Sequence, residues 1–335
     1  MARSNSRKGI FRSLWRLMTF FHSLARAATL AVGGWVAYSR VFVPHQLTLT
    51  HALGGERRTF SWNGLQLSYY VTGAGKPLVL LHGVNVAASS YEVKPLYDHL
   101  AASHRVYALD LPGFGFSERR KLEYSPRFFA GAIQAFLRSE VLPEGGPADV
   151  VALSLSAGFA ARAACDAPEL FRSLVMISPT GPGRQTRLHG NDTLLRLLSV
   201  PLWSRALYDL LTTRQALTFF FRRVFLSRRP PENLIAYAYL TAHQPGAHHA
   251  PMYLLSGKLS SPDIKEVYDC LNLPVMVLYG RGSFAGFRKW SEYEKRPNWF
   301  VVRVEGAGEM PHFEQPEVVA DALSKFLSDY ALAKE

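Results

Sequence analysis

The sequence predicts an α/β protein with a mostly parallel sheet flanked by helices. Two observations carry this reading. A hairpin signal is followed by short apolar, strand-like runs that alternate with stretches of helical periodicity. Of the 335 residues, 48% are hydrophobic and 19% charged. That composition supplies a large core and excludes a disordered or fibrous chain. No internal repeat or low-complexity linker interrupts the pattern.

Residues 1–45 stand apart as a membrane-directed segment. Ile10, Leu14, Leu17, Met18, Phe21, Leu24, Ala25 and Ala28 recur at helical spacing, with Arg12, Arg16, Thr19, Ser23 and Arg26 opposite. This is the pattern of a basic amphipathic helix lying in a membrane interface. The uncharged run 27–38 is short for a full span. A transmembrane helix with snorkelling arginines, a signal peptide and a helix packed on its own domain are the alternatives.

In the body, strands are expected at 58–62 and 65–71, joined by the hairpin pair Asn63-Gly64. Further strands are expected at 77–81, 105–109, 149–155, 174–178, 275–279 and 300–304. Helices are expected at 127–141, 157–167 and 317–332. Residues 184–257 read as largely helical, with breaks near Pro201, Pro230-Pro231 and Pro245-Gly246. Alternation after a hairpin implies parallel strands joined by crossover helices.

The net charge of +12 is unevenly placed. Residues 1–55 hold seven basic residues and no acid, and residues 183–262 hold ten bases against three acids. An anionic membrane surface is the partner this implies. No nucleic-acid-binding motif is present, so nucleic acid is not expected. Cys165 and Cys270 lack zinc-site spacing and read as separate core thiols. His243, His248 and His249 have no carboxylate or cysteine at ligand spacing, so no metal is expected. Gly113-Phe114-Gly115 lacks the third glycine of a dinucleotide site, and no cofactor is expected.

Four turns, in order, resemble the α/β-hydrolase superfamily. They are Leu80-Leu81-His82-Gly83, the run from Asp110 to Ser117, Ser154-Leu155-Ser156-Ala157-Gly158, and the run from Gly306 to Pro316. The third resembles the nucleophile elbow G-x-S-x-G. The resemblance implies a core of residues 56–182 plus 263–335, with a helical cap, residues 183–262, inserted after the sixth strand. It also implies Ser156 as nucleophile, with the backbone N–H groups of Val84 and Ala157 as oxyanion donors. His82, Ser283 and Phe220 are candidates for the substrate pocket, and Asp110 reads as a structural turn residue.

The match departs from the family at the other two catalytic positions. Serine stands at the acid's place, in Gly280-Arg281-Gly282-Ser283, and Ser178-Pro179-Thr180-Gly181 offers no carboxylate at the alternative place. Glu309 occupies the histidine position, and His312 follows three residues later. A serine hydroxyl needs a base to take its proton. An ordinary glutamate is about two pKa units weaker than histidine. Glu309, raised by burial, and His312 are the two candidate bases. The expected function is a membrane-associated serine hydrolase acting on a lipophilic ester or acyl substrate. The alternative is an inactive protein of this fold that binds a lipophilic ligand or a partner protein. Non-hydrolytic chemistry stays open, since the fold hosts many reactions.

Overall fold

The computed structural model describes residues 3–180, 190–281, 290 and 292–332. Helix α1 (Arg3–Phe42) is followed by strands β1 (Glu56–Trp62), β2 (Leu65–Thr72) and β3 (Pro77–Leu81). Then come α2 (Lys94–Leu100), β4 (Arg105–Leu109), α3 (Pro126–Phe136), α4 (Leu142–Gly145), β5 (Ala148–Leu153), α5 (Leu155–Asp166) and β6 (Phe171–Ile177). Five helices follow: α6 (Asp192–Leu198), α7 (Ser204–Leu211), α8 (Arg214–Val224), α9 (Glu232–Ala242) and α10 (His249–Leu255). The chain closes with α11 (Ile264–Asp269), β7 (Val275–Tyr279), β8 (Trp299–Arg303), α12 (Pro311–Glu314) and α13 (Pro316–Leu332).

The strands form one eight-stranded sheet in the order β1-β2-β4-β3-β5-β6-β7-β8. β1–β2 and β2–β4 pair antiparallel, and every other pair is parallel. Asn63 and Gly64 both take positive φ, 48° and 72°, as a two-residue hairpin turn of matching twist requires. β3 and β7 are almost wholly apolar because both faces are covered, while β5 carries at its start the buried Asp149, which accepts from Arg172 and Ser173 at the start of β6. In β3, Val79 and Leu81 pack on one side with Phe129, Phe136 and Phe159, while Leu78 and Leu80 pack on the other with Val93 and Tyr97.

Three expectations change. The strand read as 149–155 ends at Leu153, and the following helix begins at Leu155 instead of 157. Cys165 and Cys270 are not separate thiols. Their Cα atoms lie 6.0 Å apart and they form a disulfide between the end of α5 and the residue after α11. Among the described residues no helix is long and apolar enough to cross a membrane. Arg26 and Arg40 bracket a stretch only about 20 Å long as helix, against ~30 Å of hydrocarbon.

The root of α1 is fastened to α7. Trp35 Nε1 donates to Ala206 O at 2.7 Å, and Ser39 Oγ donates to Asp209 Oδ2 at 2.6 Å. Asp209 is buried and also holds His45 and Arg205, at 2.9 and 3.0 Å. Earlier in α1, Trp15, Phe20, Phe21 and Leu30 are exposed.

Candidate active site

The site is assembled from turns at the carboxyl ends of the parallel strands, where open α/β sheets place their ligands. Strand β5 delivers the sharpest of them. Its last residue is Leu153, and Ser154 follows with φ 51° and ψ −120°. A non-glycine residue with φ above zero is strained and held only by its surroundings. Ser154 N–H donates to Ile177 O at 2.8 Å, which pins the bend to β6. The chain then enters α5 at once. Ala152 and Ser156, two residues to either side, supply the small side chains such a bend needs. Ser154 itself is half-buried.

Ser156, expected to stand at this bend, lies inside α5 and is fully buried. Its hydroxyl donates to His82 O at 2.6 Å, tying the start of α5 to the turn after β3. The expected oxyanion donor Ala157 is likewise occupied, since its N–H bonds Ser154 O at 3.2 Å. The reason is register: the bend falls two residues early, so the donor that follows it is Leu155. As the first residue of α5, Leu155 has an N–H with no intrahelical acceptor. Val84 keeps its expected place in the turn after β3.

That turn is braced by a residue the sequence reading passed over. Glu92, in a 3-10 turn at Ser90–Val93, is buried beneath residues 83–85. Its carboxylate accepts Gly83 N–H at 2.9 Å on Oε2 and Asn85 Nδ2 at 2.6 Å on Oε1. Asn85 Oδ1 in turn accepts Ala87 N–H at 2.8 Å. A Cβ built on Gly83 would sit 3.0 Å from Glu92 Oε2 and 3.7 Å from Ser154 Cβ. Brace, turn and bend therefore share one tight space, and Val84 lies between the two residues that Glu92 holds. Burial pushes the Glu92 carboxyl up to about 7, against the pull of its two N–H partners.

His82 is not a pocket residue. It is fully buried, with Nδ1 2.6 Å from Gly83 O and Nε2 accepting Leu111 N–H at 3.0 Å. It cross-links the turns after β3 and β4. Asp110 is the structural residue expected, accepting Ser90 N–H and Phe116 N–H, each at 2.8 Å. Phe220 packs against the apolar cluster of the helical insertion, edge-on to Phe221. Ser283 lies outside the described residues. Ser178, just past β6, takes φ 46°, and its buried hydroxyl has no hydrogen-bond partner among the described residues.

The loop from Gly306 to Glu314 meets the bracing turn through His312. Its path is fixed by glycine and by one carboxylate. A Cβ on Gly308 would meet Val224 O at 2.4 Å, and one on Gly280 would meet Gly308 O at 2.2 Å. Glu314 accepts N–H groups from Gly308, Leu226 and Ser227 at 2.6, 3.1 and 2.9 Å, which clips the loop to the end of α8. Glu309 is half-buried at the histidine position, its N–H held by Val224 O at 2.9 Å. His312 lies beneath, buried, with Nε2 2.8 Å from Glu92 O. Burial pushes its imidazole down to about 4. It steadies the backbone of the bracing turn, and it is seated under the cleft floor, unlike the shifted base expected of it.

Residues 78–322 match the Alpha/beta hydrolase family. The mesoderm-specific transcript homolog protein of Bos taurus is 36% identical over 115 residues, 32% of this chain and 34% of that protein. The chain thus spans about a third of the length of the curated relatives it matches. Among solved structures, a serine hydrolase involved in carbazole degradation superposes with a TM-score of 0.66 at 18% identity, over 82% of this chain and 99% of that one. A membrane phospholipase A described as a bacterial virulence factor superposes with a TM-score of 0.65 at 20% identity, over 96% of this chain and 99% of that one. With the sheet order, the strained bend after β5 and a family match over most of its length, this chain belongs to the alpha/beta hydrolase family.

Proposed function

We propose that the protein is a membrane-associated serine hydrolase acting on a lipophilic ester or acyl substrate, with Ser154 as its nucleophile. The strained, half-buried bend at Ser154 carries the reading. Ser154 Oγ attacks the acyl carbon, and the carbonyl oxygen gains charge between the N–H groups of Leu155 and Val84. The hydroxyl proton passes to Glu309, which comes from the loop position where the family carries histidine. The leaving alcohol takes that proton back, and water then releases the acyl group from Ser154 by the reverse use of the same groups. A carboxylate is a weaker base than imidazole near neutral pH, so turnover is slow. A fluorophosphonate probe tests the assignment. Labelling that survives Ser156→Ala and vanishes in Ser154→Ala supports it. Labelling lost only in Ser156→Ala sinks it.

Membrane association rests on α1 and on the charge distribution. Exposed Trp15, Phe20, Phe21 and Leu30 suit the acyl boundary of a bilayer, and the arginines of the segment suit its headgroups. Arg222, Arg223, Arg228 and Arg229 beside exposed Phe219 add a basic edge, each contributing on the order of 1 kcal/mol near an anionic surface. The likeness to a membrane phospholipase A, which extends over 96% of this chain, supports the same direction. Flotation should carry the protein with anionic vesicles and less with neutral ones. Equal recovery from both would remove the anionic surface from the proposal.

A second reading, a non-catalytic binder of a lipophilic ligand or partner protein, is favoured by one observation: glutamate stands where the family carries histidine. Absence of labelling by any acyl or phosphonyl probe, with Ser154→Ala harmless in cells, would select it.

A further inference from the structure

A cavity of about 580 Å³ lies within the helical insertion, between α6, α7, α10 and the core loop at Lys121. That volume falls inside the ~300–1,000 Å³ range of small-molecule sites. Leu195, Met252 and Tyr253 give it apolar walls, while Lys121, Arg196 and Arg205 give it three cations. No carboxylate lines it. Of the acids nearby, Asp209 pairs with Arg205 and also holds Ser39 and His45, Asp192 pairs with Lys258 at 2.5 Å, and Glu123 lies near Tyr253.

Two further groups at the wall await a partner. His248 Nδ1 and one terminal nitrogen of Arg205 are buried with no hydrogen-bond partner among the described residues. Leaving a buried polar group unmatched is costly, more so when it is charged. The imidazoles of His248 and His249 lie 4.1 Å apart, tilted by 43°. Burial, then His249 and Arg205, push His248 down to about 3. Apolar walls beside Lys121, Arg196 and the unmatched terminal nitrogen of Arg205 define the complement.

We propose that this cavity binds a single-chain amphiphilic anion, with its carboxylate or phosphate head among Lys121, Arg196 and Arg205 and its alkyl chain against Leu195, Met252 and Tyr253. Ser154 is not among the lining residues, so the site is separate from the elbow and does not depend on the hydrolase reading. The test is calorimetric titration of the full chain carrying Ser154→Ala, with decanoate, decyl phosphate and decanol below their micellisation concentrations. The expected result is one saturable site for an anion, with decanol at least tenfold weaker. The tighter of decanoate and decyl phosphate then tells a free carboxylate from a phosphate head. Lys121→Glu with Arg196→Glu, both exposed, should weaken the anion at least tenfold and leave decanol unchanged. Ser199→Trp should fill the cavity and remove all binding. Anion affinity no better than decanol's, or unchanged by both variants at wild-type melting temperature, overturns the proposal.

Discussion

On the proposed nucleophile side of the cleft, shape and proposed reactivity reside in the same residue. Ser154 is both the strained, half-buried bend and the proposed nucleophile, and the N–H groups of Leu155 and Val84 are backbone. On the opposite side the two are separated. Gly280, Gly308 and Glu314 shape the loop through close backbone approaches and three accepted N–H bonds. The residue at 309 contributes its N–H to Val224 O whatever side chain it bears. A base can therefore be exchanged without refolding the loop, whereas the nucleophile cannot be moved without moving the bend. The difference teaches that a family's scaffold can outlast its usual proton acceptor.

The sharpest way to break this comparison is at the two serines. Ser154→Ala should lower the hydrolytic rate by on the order of 10³-fold or more, as loss of a nucleophile does. Ser156→Ala should keep probe labelling and cost about 1–2 kcal/mol in unfolding free energy, because it removes a buried bond to His82 O. Denaturant titration beside a labelling assay separates the two effects. The next largest effect is on the loop. Glu309→His should raise turnover on a small ester by on the order of 10²-fold, the usual worth of a well-matched base. A folded Glu309→His variant with no gain would mean that the loop no longer presents residue 309 to Ser154.

The fold was legible because its determinants are short-range. Apolar strand runs, Asn63-Gly64 and the glycine turns each act within a few residues, and the sheet follows from their order. The elbow was legible as a region but not as a residue. Two serines fit one spacing rule: Ala152-x-Ser154-x-Ser156 and Ser154-x-Ser156-x-Gly158 both place small residues around a serine. Which one bends depends on where β5 stops pairing with β6, and the Leu153–Ile177 pairing is a long-range contact. The same limit hid the disulfide, since residues 165 and 270 meet only through the packing of α5 against α11. Glu92 was missed because its burial is a property of the folded turn.

The smallest expected effect comes from Glu92, and it sets the two sides of the cleft against pH. The group's folded pKa, about 7, lies above the ordinary carboxyl value of 4.5. Its contribution to stability is therefore fully present below about pH 4.5 and is lost as pH rises through 7, by roughly 3 kcal/mol at most. Catalysis follows the opposite sign. Only the ionised carboxylate offers both oxygens purely as acceptors to Gly83 N–H and Asn85 Nδ2, so the oxyanion turn is best braced above pH 7. Glu92→Gln keeps one acceptor and loses the other. It should cost several-fold in kcat with little change in KM, flatten the activity profile around pH 7 and abolish the corresponding slope in stability. The comparison with the wild-type curves isolates residue 92, because His312 and every other titrating group are common to both chains. A variant that merely unfolds more readily would lose activity at all pH values in parallel. An unchanged activity profile with a flattened stability profile would leave Glu92 a buried acid with no bearing on the turn it holds.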